Sequence, residues 1–240
     1  MIRKSCLAFA AMLPLAAACS GSAGAATRNY GVTSFDRIRV AGPFDVNVHV
    51  GGSPSARATG SQAAIDRLSV EQQGNVLVVK PLPGGWGGWP IGNQGRIVVD
   101  VSTPSLNNAT LAGSGSVSID RVKGDQLDLA LSGSGNLSVA DVDVTRLTTT
   151  MTGSGDLSLV GRAVQAKALL TGSGDLKGDK LAADVADVSL IGSGDLSIGA
   201  RRTAKVNLAG SGDIRIAGPA NCSITRTGSG DVHCAHQVSD

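Results

Sequence analysis

The chain has 240 residues, with 21 lysines and arginines against 19 acidic side chains, 33 glycines and six aromatic residues (three Phe, two Trp, one Tyr). Removing Arg3 and Lys4 with an N-terminal leader leaves 19 charges of each sign, so charge gives no argument for nucleic acid or an anionic membrane surface as a partner. Many glycines and few rings are unusual for a compact globular enzyme and suit a narrow coil filled by Leu, Val, Ile and Ala.

Arg3 and Lys4 form the charged start of an export signal, and residues 6–18 form an apolar stretch too short to span a bilayer. Two processing routes follow. The run Ala16-Ala17-Ala18-Cys19 resembles a bacterial lipobox, in which Cys19 is lipidated and becomes the first residue, although Ala16 fills the slot where a Leu is usual. The alternative is cleavage near Ala25 or Ala26. Lipidation of Cys19 is the favoured route, with the Gly/Ser/Ala run over 20–26 as a flexible tether.

Residues 27–34 read as a linker into the domain, with Tyr30 inside it. The run Phe35-Asp36-Arg37-Ile38-Arg39-Val40 follows, then Phe44-Asp45-Val46-Asn47-Val48-His49-Val50, whose apolar residues alternate on one face as in a half-buried strand. A short helix is expected over residues 61–68, with Ser61 as N-cap. Residues 68–70 and 76–79 read as strands about Gln73-Gly74-Asn75. Residues 97–101 form another strand after a loop over 81–95.

This first third is similar to the opening of the auto-transporter adhesin head GIN domain family. The resemblance rests on Phe35-Asp36-Arg37-Ile38-Arg39-Val40 with Phe44-Asp45-Val46-Asn47-Val48, then Val50-Gly51-Gly52, Ile65, and Gly74-Asn75-Val76-Leu77-Val78. With the repeats described next, it extends over residues 34–234. It implies an envelope-associated β-helix, right-handed as parallel crossovers usually are. It brings no catalytic motif.

From Gly113 to Asp231 the chain writes Gly-Ser-Gly seven times, each followed by Asp, Asn or Ser, beginning at Gly113, Gly133, Gly153, Gly172, Gly192, Gly210 and Gly228. A period of 18–20 residues with alternating strands on both sides of a Gly-rich corner predicts an all-β, single-domain parallel β-helix, one repeat per coil. Aligned on the corner, Leu111, Leu131, Met151, Leu170, Leu190, Leu208 and Arg226 fill one column two places before it. Val117, Leu137, Leu157, Leu176, Leu196, Ile214 and Val232 fill another just after the Asp position. Each column is one stripe of the core, and a buried Leu or Val contributes roughly 1.5–3 kcal/mol. Arg226 breaks its column in the final coil, where a charge discourages end-to-end association.

The expected organisation is a leader over residues 1–18, or 1–26 without lipidation, and a flexible linker over 19–33. Irregular strands and first coils follow over 34–104, regular coils over 105–234 and a polar tail over 235–240. Cys222 and Cys234 flank the last corner symmetrically on core-facing columns. In an exported chain they read as a disulfide, with two small buried hydrophobes as the alternative. The Asp156, Asp175, Asp195, Asp213 and Asp231 ladder resembles a Ca²⁺ array only weakly. One carboxylate per coil supplies few of the six to eight oxygens the ion takes, so an Asx-type turn is preferred and no metal or other cofactor is expected. The loop holding Trp86 and Trp89 is the candidate ligand contact, since flat apolar rings suit sugar faces and interface anchors; covering an open end of the helix is the equal alternative.

No nucleophile–base pair can be assembled. Tyr30 lies in the linker, and His49, His233 and His236 are scattered. The functional expectation is a non-catalytic protein of the bacterial periplasm or outer membrane, lipid-anchored, an adhesin or scaffold binding a glycan or an envelope protein. A polysaccharide lyase or hydrolase on the same fold is the alternative.

Overall fold

The computed structural model describes residues 25–82 and 96–237. In chain order come β1 (Ala26–Tyr30), β2 (Arg37–Ala41), β3 (Asp45–Val50), β4 (Ser55–Gly60), helix α1 (Gln62–Ile65), β5 (Leu68–Gln73), β6 (Val76–Pro81) and β7 (Val98–Thr103). The repeats supply β8 (Asn108–Gly113), β9 (Ser116–Ile119), β10 (Val122–Gly133), β11 (Asn136–Gly153), β12 (Asp156–Gly172), β13 (Asp175–Gly192) and β14 (Leu196–Gly210). The last coil adds β15 (Ile214–Ala217), β16 (Asn221–Gly228), β17 (Val232–His233) and β18 (His236–Gln237). These strands form one continuous hydrogen-bonded sheet wound into a β-solenoid.

Each Gly-Ser-Gly corner separates two sides of the coil. Side A precedes the corner and stacks β6, β2, β8 and β10, then the ends of β11 to β14, and β16, all parallel. Side B follows it and stacks β7, β3 and β9, the starts of β11 to β14, then β15 and β17. In-register stacking puts like residues over like, and the expected stripes close: Leu111, Leu131, Met151, Leu170, Leu190 and Leu208 are all buried. A strand as long as β11 exceeds the usual range because it bends around the coil without breaking its ladder.

The repeat length varies for a local reason. Gly113, Gly133, Gly153, Gly172, Gly192, Gly210 and Gly228 stay in register from coil to coil. Extra or missing residues are absorbed at the bend after side B, where Val139 faces Leu159 but Val142 faces Gly161, and Gly178 faces Ile198 but Ala182 faces Gly199. Backbones also meet closely at this bend, where a Cβ on Gly161 would stand 2.2 Å from the Val142 oxygen and one on Gly199 2.3 Å from the Leu181 oxygen, so the bulges are taken up beside glycines.

The N-terminal third departs from sequence order. The β6–β7 coil lies outside the β2–β3 coil, and the chain then crosses to lay β8–β9 on the opposite side of β2–β3. Gly42, at φ +118°, is the corner of this inner coil, directly under Gly113. In the outer coil β6 ends at Pro81 and β7 starts at Val98.

Two expectations change here. Residues 26–30, within the stretch read as linker, form β1, which pairs antiparallel with β4; β4 in turn pairs antiparallel with β7. Strand β4 escapes hydropathy reading because its inward residues are only Ala56, Ala58 and Gly60. The helix begins as expected, with the Ser61 hydroxyl accepting from the Ala64 N–H at 3.3 Å, but it ends at Ile65 because β5 must start at Leu68. It buries Ala64 and Ile65 over the N-terminal end, which β5 and the β4–β1 pair also cover with antiparallel strands. Arg28 ties this cap together through the Asp66 carboxylate at 2.5 Å.

Candidate functional site

The corner itself is a backbone junction. The Gly153 carbonyl accepts from the N–H groups of both Ser173 (3.0 Å) and Gly174 (3.2 Å) of the next coil, and the same double acceptance recurs at Gly133, Gly172, Gly192 and Gly210. Such close approach leaves no room for a side chain. A Cβ on Gly172 would stand 2.1 Å from the Gly153 oxygen, and one on Gly174 would stand 2.0 Å from the Gly155 oxygen.

The aspartates after the corner are held differently from the expected Asx-type turn. Asp156 and Asp175 give their N–H to the Gly135 and Gly155 carbonyls of the preceding coil. From Asp195 onward the N–H goes instead to the carboxylate below: Asp195 to Asp175 Oδ1 (3.3 Å), Asp213 to Asp195 Oδ1 (3.1 Å) and Asp231 to Asp213 Oδ1 (2.9 Å). The carboxylates therefore link successive coils rather than closing their own turns. Among the described residues no three His, Cys, Asp or Glu side chains come together in a way that could hold a metal ion.

Beside this ladder on side B lies a shallow cleft of about 360 Å³, whose rim carries Asp175, Asp195 and Asp213 with Lys177, Arg215 and His233. Lys177 stands 3.5 Å from Asp175 and 3.8 Å from Asp156. A second cleft, of about 470 Å³, opens at the N-terminal end between β1, β4 and β7, with Asn29, His49, Arg57, Asp100 and Ser102 on its walls. There Arg57 donates to Asn29 (3.1 Å), Asn47 donates to Asp100 (2.8 Å), and His49 Nδ1 lies 3.5 Å from Asp120.

The perturbed titratable groups lie elsewhere. Hydrogen bonds from Arg162 (2.6 and 2.9 Å), with its charge, hold the Asp143 carboxyl below the ordinary carboxylate range. Hydrogen bonds from Ser69 and then Lys80 lower Glu71, while Asp66 raises the Arg28 guanidinium. These are solvent-facing pairs, outside both clefts.

Of the residues singled out in the sequence, Cys222 and Cys234 are joined across the last coil with a Cα–Cα distance of 6.5 Å. That is within the reach a disulfide needs. Cys19, Trp86 and Trp89 lie outside the described residues; Arg96, shortly before β7, pairs with Asp45 at 2.8 Å. Lys177, Arg215 and His233 were not singled out together. They occupy the outward column two places beyond the Asp, where earlier repeats carry Ser118, Ser138 and Ser158, so aligning the outward columns as well as the inward ones exposes them.

Fold and surface together define a β-solenoid of stacked parallel coils with a polar, shallowly cleft side. The chain belongs to the family described as "Putative auto-transporter adhesin, head GIN domain", whose model matches residues 34–220. No curated protein matches it. Among solved structures, a "putative adhesin" from Bacteroides fragilis NCTC 9343 is 22% identical with a TM-score of 0.80, over 90% of this chain and 98% of that one. A "putative lipid binding protein" from Parabacteroides distasonis ATCC 8503 is 22% identical with a TM-score of 0.69, and a "putative adhesin" from Parabacteroides merdae ATCC 43184 is 21% identical with a TM-score of 0.69. Each of these two pairs covers 91% of this chain and 98% of the other. At such identities the likeness is one of fold.

Proposed function

We propose that this chain is a non-catalytic, exported protein of the bacterial cell envelope, anchored through lipidated Cys19, whose rigid solenoid binds a glycan or an envelope protein in the manner of an adhesin. The observation that carries this reading is the character of side B. It offers two clefts walled by side chains of both charge signs, fixed on an in-register sheet, while the perturbed titratable groups sit in solvent-facing pairs away from them. Catalytic acids and bases are expected to be tuned where they act. Membership in an adhesin-type family supports the same reading.

The test is a panel of cell-wall polysaccharides, exopolysaccharides and envelope extracts, assayed together for binding and for released fragments. Binding without fragments is the expected result; fragment release overturns the non-catalytic reading. Intact-mass measurement of the mature protein checks the anchor, with a diacylglycerol adduct on Cys19 expected and an unmodified start near residue 26 counting against it.

A further inference from the structure

Register places one unbroken polar row on the outside of side B. It starts at the N-terminal cleft, where Asn29 lies beside Arg57, Arg57 beside Asp100, and Asp100 beside Asn47. It crosses the middle of the molecule as Ser118, Ser138 and Ser158. It ends in the distal cleft as Lys177, Ser197, Arg215 and His233. Eleven strands at about 4.8 Å apart make this row about 48 Å long. Both clefts open onto it, one at each end.

We propose that this row binds a single extended, uncharged polyhydroxylated chain, a linear neutral polysaccharide lying along the coil axis. The inference rests on the binding function proposed above and supplies its ligand class and its site. The row itself carries hydroxyl, amide, carboxylate, imidazole and cationic side chains and no apolar one; Tyr30, Val32 and Pro54 line only the N-terminal cleft and Leu176 and Leu196 only the distal one. Along its length it therefore offers hydrogen bonds rather than a run of the apolar anchors on which protein interfaces concentrate their affinity. A sugar chain presents a donor and an acceptor at every unit, which is what such a row can use. The aspartates beside the distal half disfavour a polyanion: Asp156, Asp175, Asp195, Asp213 and Asp231 outnumber Lys177, Arg215 and Arg226, the last of which pairs with Asp231.

The distal cleft is also preorganised. Asp195 and Asp213 each commit Oδ1 to a backbone N–H of the next coil, which fixes the carboxylate. The second oxygen of each has no partner among the described residues, and Arg215 stands in the same cleft as a donor. Fixed acceptors and a nearby donor bind adjacent hydroxyls with little ordering cost.

The experiment is affinity electrophoresis and calorimetry of the mature chain with linear neutral glucan, mannan and galactan oligomers of increasing length, and with polyuronate oligomers of matched length. Affinity for one neutral series is expected to rise with length up to the span of the row, with the polyuronates weaker. The exposed change Arg215→Ala should weaken short and long oligomers alike by about tenfold. Ser138→Leu with Ser158→Leu, at the middle of the row, should weaken long oligomers by a similar factor and leave short ones unchanged. Thr150→Leu, outward on side A of the same region, should alter neither, and unchanged melting of every variant shows that the fold is kept.

Long-chain binding that ignores the serine changes, preference for the polyuronates, binding of an envelope protein alone, or no binding in any neutral series each overturns the proposal. Binding insensitive to these variants defeats the row and leaves the adhesin reading standing. Fragment release from a chain bound on the row defeats the non-catalytic reading instead.

Discussion

A methyl group on Gly172 would meet the Gly153 carbonyl oxygen at 2.1 Å, on a residue whose φ is +132°. Conformation and space therefore both demand glycine there, whereas at Gly174 space alone does. Gly172→Ala is expected to destabilise by about 3 kcal/mol or more, and Ser173→Ala on the same corner by at most about 0.5 kcal/mol, measured by chemical denaturation. Equal effects would mean that the corner is not a close backbone contact. Thr149 stands in a core stripe between Leu129 and Ala168, buried, with its hydroxyl unpartnered. Thr149→Val keeps the shape and removes the orphaned group, so stability should rise by about 1 kcal/mol. In a chain of this size that is about 2–4 °C in Tm. The need for corner glycines was legible in the spacing of the repeats. The partner of each aspartate was not, because it belongs to the next coil, 18–20 residues away.

Coils differ in how firmly they are held. Coils in the middle of the stack have a neighbour on both edges, whereas the last is paired on one edge along Ser223–Gly228 and is stapled through Cys222 and Cys234. Closing a loop of that length with a disulfide is worth about 2–3 kcal/mol on the chain-entropy argument. Reduction, or Cys234→Ser, should therefore speed amide exchange over residues 221–237 while leaving β11 to β13 protected. Uniform loss of protection along the solenoid would show instead that the whole stack unfolds as one unit. The inward columns were readable in the sequence because side-chain direction alternates along every strand. The lengths of the strands were not, since nothing local marks a strand that bends without ending.

The two ends of the molecule are finished in different ways. The N-terminal end is covered by antiparallel strands and α1, while at the other end Arg226 takes the place of the stripe leucine above Leu208. Its guanidinium reaches across the corner to the Gly230 carbonyl (3.2 Å) and the Asp231 carboxylate (3.0 Å), so a charged group lies over the last apolar layer. Arg226→Leu should leave the coil folded and make it self-associate through that end, seen as a concentration-dependent dimer in sedimentation. A strictly monomeric variant would show that the unpaired edge is protected by something other than this charge.

The sequence by itself determined the coil: a period near twenty, glycines at the corner and alternating apolar columns repeat locally, and stacking identical units in register follows from them. Only the tertiary structure decided the order of the first coils, the strand built from residues read as a linker, and the polar row joining the two clefts. Each of these depends on pairing between segments that carry no repeat and lie far apart in the chain, and it is the shared hydrogen-bonding edge, not any local pattern, that brings Asn29, Asp100 and Ser118 into one line.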